Sequence, residues 1–99
     1  MGSEKLAKVL IKRRVPNYDK WKAAFDEFSA LRKDNGSKGG LILRDSNDPR
    51  LVYILLDWDD LDNARKFYEP QSGKKRFEKG GAAIEPEIYF IEEVEETSS

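Results

Sequence analysis

A chain of 99 residues with 18 basic and 19 acidic side chains and a net charge of −1 has room for one domain and one core. Near-neutrality excludes the electrostatic footprint of a nucleic-acid binder, and no apolar run approaches the roughly 18–20 residues of a membrane span. Cysteine and histidine are both absent, which removes disulfides, thiolate chemistry, the commonest general base and the usual zinc and haem ligands. The chain is therefore expected to work without metal, haem or another cofactor.

The opening "MGSEKLAKV" has no signal-peptide apolar region, and no basic amphipathic stretch suits a membrane surface; a cytoplasmic protein is expected. Residues 1–4 read as a disordered or cloning-derived N-terminus, 5–95 as one domain and 96–99 as a flexible tail. "KLAKVLIKRRV" reads as a strand with Ala7, Val9 and Ile11 on one face and Leu6, Lys8, Leu10 and Lys12 on the other. Pro16 ends it and Asn17 is placed to cap a helix, with Asp19 in the first turn. That helix, "YDKWKAAFDEFSALRKDNG", carries an apolar stripe of Tyr18, Trp21, Phe25, Phe28 and Leu31 or its neighbours one turn away. Arg32 and Lys33 fall in its last turn, and Gly36 is placed to stop it.

"GGLILRD" predicts a second strand, "SNDPR" a turn and "LVYILLDW" a third strand. "NGSKGG" has no phosphate-loop pattern and reads as a flexible turn; "LVYILLDW" does not match an RNA-binding strand motif. A second helix starts near Asp60 with Leu61, Ala64, Phe67 and Tyr68 inward. Pro70 and Gly73 interrupt it, leaving a break and a short turn around Phe77. Pro86 opens the last strand, "EIYFIEEVE". The order β-α-β-β-α-β predicts an α+β, ferredoxin-like sandwich, a four-stranded antiparallel sheet with two helices on one face.

Asp57, Asp59, Asp60 and Asp62 crowd six positions. A calcium loop starting at Asp57 needs glycine at 62 and glutamate at 68, and the chain has Asp62 and Tyr68. As a helix start the stretch fits, with Asp59 or Asp60 as the cap and Asp62 in the first turn. Asp57 falls on the strand face opposite Trp58, where a structural ion pair with a base such as Lys12 or Arg44 is favoured over a catalytic acid.

A two-layer sandwich leaves one sheet face to water, so its strands ought to alternate. Leu51–Leu56, Leu41–Leu43 and Ile88–Ile91 instead run continuously apolar, as strands covered on both faces do. Exposing Leu41, Leu43, Leu51, Tyr53, Leu55, Tyr89 and Ile91 together would make a patch that soluble monomers rarely carry. A homodimer packed sheet face to sheet face is the expected solution.

"YDKWKAAFDEFSALRKDNGSKGG", Arg44, "LVYILLDWDDLDNARKF" and "PEIYFIEEVE" together resemble the small dimeric α/β-barrel proteins related to antibiotic biosynthesis monooxygenases, often labelled cyclase-like. The resemblance runs from Leu6 to Glu95 and is most specific at Trp58, before the Asp-rich helix start, and at "PEIYF". It implies a ferredoxin-like subunit paired with its twin into a barrel. It also implies one of several activities: cofactor-independent oxygenation of polycyclic phenols, haem degradation or lactone isomerisation. Haem-binding branches use a histidine, which this chain lacks; oxygenase branches orient a phenol-type substrate with Asn, Trp and Tyr between sheet and helices. Residues 69–81, with Pro70 and three glycines, depart from a regular helix of the family.

The candidate pocket residues are accordingly Trp21, Phe25, Phe28, Trp58, Phe67, Tyr68 and Tyr89, with Arg44, Asp57 and Tyr53 as polar candidates. An aromatic stripe at helical spacing is also what an ordinary core looks like. Two readings follow: a pocket for a small apolar or aromatic ligand with monooxygenase- or cyclase-type chemistry, and a non-catalytic homodimer acting in binding or assembly.

Overall fold

The computed structural model describes residues 7–68 and 86–99. The break at Pro70 and Gly73 and the turn around Phe77 lie outside the described residues, as do residues 1–6. The elements are β1 (Ala7–Arg14), α1 (Tyr18–Glu27), α2 (Ser29–Asn35), β2 (Ser37–Arg44), β3 (Leu51–Trp58), α3 (Leu61–Phe67) and β4 (Glu87–Glu92). The sheet runs β2-β3-β1-β4 with every neighbouring pair antiparallel. Each β-α-β passage thus leaves a gap that another strand fills, which is the ferredoxin-like arrangement.

One sheet face and the helices enclose the core. Val9 and Ile11 of β1 stand opposite Leu56 and Ile54 of β3, and all four are buried together with Val52 and Trp58. Trp21 and Ala24 of α1 and Ala64 and Phe67 of α3 close over them. Each large apolar side chain removed from water contributes about 1.5–3 kcal/mol.

The helix ends follow the sequence signals. The Asn17 side chain accepts from the Lys20 N–H at 3.0 Å, and the Asp60 side chain accepts from the Asn63 N–H at 2.8 Å. Asp60 is therefore the cap. Asp59 instead ties α3 to the end of α2. Its N–H donates to the Gly36 carbonyl at 2.9 Å, and its carboxylate accepts from the Asp60 N–H and the Asn63 amide. Gly36 ends α2 at φ 124°, which favours glycine there, and a Cβ would also push the Asp59 carboxylate aside.

Four expectations are corrected. The single helix predicted over residues 18–36 is two, parted at Phe28 (φ −98°, ψ 11°), whose N–H reaches back to the Phe25 carbonyl. Leu31 is exposed and Arg32 is buried in its place. The expected turn "NGSKGG" contributes its last four residues to β2, through an irregularity between Ser37 and Gly39. The last strand ends at Glu92, three residues early, and the chain beyond it has no regular structure.

Among the described residues, no helix packs on the other sheet face. Leu41, Leu55, Leu10 and Tyr89 form one row across all four strands, and Leu43, Tyr53, Lys12 and Glu87 form the next. Leu41 is 58% exposed and Tyr89 46%. Among the described residues no helix is long and apolar enough to cross a membrane.

Candidate functional site

A cavity of about 40 Å³ lies between the helices and the centre of the sheet. The sheet supplies Ile11, Arg13 and Ile54; α1 supplies Trp21, Ala24 and Phe25. Phe28, Arg32, Phe67 and Tyr68 complete the lining. Two aromatic groups meet there. On α1 the Trp21 ring lies 5.6 Å from Tyr18 and 5.2 Å from Phe25. Between β3 and α3, Trp58 lies 5.3 Å from Phe67 and 5.8 Å from Tyr68. Offset and edge contacts of this kind add to the burial itself.

The structure thus brings together five of the sequence candidates, Trp21, Phe25, Phe28, Phe67 and Tyr68, around one space. Trp58 stands behind them, fully buried, and its indole N–H has no acceptor among the described residues. The others are elsewhere. Tyr53, Asp57 and Tyr89 belong to the open face. Asp57 pairs with Lys8 at 2.6 Å, not with Lys12 or Arg44, because the β1–β3 register sets Lys8 directly opposite it. Arg44 stacks over the Tyr18 ring at 5.2 Å. The Tyr89 hydroxyl donates to the Glu87 carboxylate at 2.6 Å, and that bond holds its pKa above the usual phenol value.

Sequence reasoning missed the two charged members of the wall, Arg13 and Arg32. Arg13 is 3% exposed, and burial lowers its pKa to about 10, which leaves it protonated at neutral pH. Arg32 is 9% exposed; its Nη1 donates to the Phe25 carbonyl at 2.9 Å, and its guanidinium lies 3.7 Å from the Phe25 ring centre. Both were findable. Arg13 continues the inward set Ala7, Val9, Ile11 at period two. Arg32 follows Trp21 by eleven residues, which at 3.6 per turn returns it to within about 20° of the same face.

Asp59, Asp60 and Asp62 lie at the α3 start, where they cap and charge the first turn. Among the described residues, no group of Asp and Glu is arranged to hold a metal ion.

No family model matches the chain, and no curated protein matches it in sequence. Solved structures match it closely in fold. A proposed antibiotic biosynthesis monooxygenase from Bordetella bronchiseptica superposes with a TM-score of 0.74 at 16% identity, covering 92% of this chain and 99% of that one. SnoaB, a cofactor-independent oxygenase from Streptomyces nogalater, gives 0.71 at 13% identity, over 97% and 98%. A dimeric ferredoxin-like protein from an uncultured marine organism gives 0.61 at 10% identity, over 97% and 94%. At these identities the likeness is one of architecture: the chain has the ferredoxin-like α+β fold found in structures described as antibiotic biosynthesis monooxygenases.

Proposed function

We propose that the chain is a homodimer whose helix–sheet cavity takes a small apolar or aromatic ligand, with oxygenase- or cyclase-type chemistry that needs no cofactor. The observation carrying this reading is the cavity wall: aromatic rings from α1, α3 and the residues Phe28 and Tyr68 that end them, with guanidinium groups as its polar tips. Ligand sites are characteristically apolar concavities with a few placed polar groups. The fold shared with a cofactor-independent oxygenase is consistent with it. In such chemistry a phenol-type substrate loses a proton, and the resulting carbanion reacts directly with oxygen. The protein holds the ring in place, and a nearby positive charge favours the anion. Pairing of the open sheet faces is supported by the apolar row from Leu41 to Tyr89.

The alternative, a non-catalytic dimer, draws on one observation: about 40 Å³ is far below the roughly 300–1,000 Å³ of a typical ligand pocket. Oxygen uptake with a panel of phenolic and anthrone-type compounds separates the two. Uptake that follows added compound, together with saturable binding, is expected. Neither turnover nor binding across the panel would leave the non-catalytic dimer standing.

A further inference from the structure

The two edges of the sheet carry opposite charge. β2 forms one edge and β4 the other. Lys38 and Arg44 belong to β2, and a groove between this strand and the helices α1 and α2 adds Lys22 and Lys33. Lys22 is paired with Asp26 at 2.7 Å, and Arg44 stacks over Tyr18. Lys33 and Lys38 are exposed and have no carboxylate partner among the described residues. β4 and the tail beyond it read "EIYFIEEVEE". Glu87 accepts from the Tyr89 hydroxyl; Glu92, Glu93, Glu95 and Glu96 make no ion pair among the described residues. Val94, set between them, is 74% exposed, more than any other large apolar side chain described.

The strand ends are level. Ser37 stands opposite Trp58, Trp58 opposite Ala7 and Ala7 opposite Glu92. The tail therefore leaves the sheet at the end where β2 begins, on the far edge. Two copies packed face to face with aligned strands are related by a two-fold axis that runs either across the strands or along them. An axis across the strands lays β2 on β2 and β4 on β4, so that like charges meet at both edges. An axis along the strands lays β2 of one copy on β4 of the other and keeps their ends level. The tail of the second copy then begins beside Lys33 and Lys38. Complementary charge favours this arrangement, and like-charge juxtaposition disfavours the first.

We propose that residues 92–96 of one copy dock against Lys33 and Lys38 of the other, so that each copy's acidic tail closes the basic edge of its twin. This rests on the face-to-face homodimer reading above and fixes its orientation. The groove covered in this way shares Phe25 and Arg32 with the helix–sheet cavity, so the second copy's tail stands beside one wall of that cavity.

A charge swap between two full-length chains tests it by sedimentation equilibrium. One chain carries Lys33→Glu and Lys38→Glu, the other Glu93→Lys and Glu95→Lys. Alone, each variant meets like charge at both contacts and is expected to self-associate roughly tenfold more weakly than the parent. Mixed in equal amounts, the two are expected to form a heterodimer of about parental affinity, because both contacts are then opposite in charge. Circular dichroism checks that each variant folds; if one does not, the single substitutions Lys38→Glu and Glu93→Lys replace the double ones. Variants that self-associate as well as the parent, or that stay apart on mixing, overturn the tail contact and, with a dimeric parent, leave the face pairing standing. A monomeric parent overturns both.

Discussion

Lys8 and Asp57 make an ion pair whose energy depends strongly on what surrounds it. At 2.6 Å, with side chains 23% and 33% exposed, it is half in water on the free sheet face. An exposed pair of this kind contributes about 0.2–1 kcal/mol, whereas breaking a pair sealed from water costs about 3–5 kcal/mol. If a second copy covers the face, Asp57→Ala is expected to cost about 3 kcal/mol by urea denaturation; a loss under about 1 kcal/mol would mean the pair stays wet. Asp48 gives a pH prediction. The Arg50 N–H and then Arg14 hold its carboxyl below the usual 3.8. A depressed carboxyl stabilises the fold above its unfolded pKa, and that contribution is lost as pH falls through the folded value. Its carbon-13 titration is expected to have a midpoint below 3.8, and Arg14→Gln to raise it part of the way, since the backbone donor remains. The partner of Asp57 was not legible in sequence because alternation fixes a face but not a register. Arg13 and Arg32 had the right spacing, but their charge excluded them from an apolar stripe, although a guanidinium can be buried when stacked and hydrogen-bonded.

Elements were legible wherever capping chemistry marked them. Asn17, Gly36 and Asp60 stand at the ends the sequence assigns, and β3 spans the eight residues of "LVYILLDW". The parting of α1 from α2 carries no such mark. Phe28 is neither glycine nor proline, and it takes a backbone conformation between helix and strand. The β2 boundary was lost for a related reason: "NGSKGG" is turn-like in composition, yet the sheet recruits it. Gly40 shows why glycine is needed there. A Cβ at this position would overlap the Leu55 carbonyl oxygen, so Gly40→Ala is expected to cost at least about 2 kcal/mol by forcing β2 off β3. Loss of the α3 cap in Asp60→Ala is expected to cost about 1 kcal/mol. Thermal or urea unfolding checks both, and a Gly40→Ala protein as stable as the parent would mean that the edge strand is loosely held.

Among the described residues, the molecule is a sheet with apolar side chains on both faces and helices packed on one. That imbalance was legible in the unbroken runs of β2, β3 and β4, because a strand facing water alternates and these do not. The cavity between sheet and helices was legible only as an aromatic set, since which rings meet is decided by how the helices cross. Leu10, Leu41, Leu55 and Tyr89 form a row in register across the face that no described helix covers, and an exposed apolar row of this kind favours association. A charge placed in the middle of that row, as in Leu55→Lys, is expected to weaken pairing without reaching the core on the other side. Sedimentation velocity at micromolar concentration, on the parent chain and Leu55→Lys side by side, tests the pairing most directly. A parent species of twice the chain mass, shifting toward single copies in the variant, is the expected result. A parent chain that sediments as a stable, unaggregated single copy would contradict it.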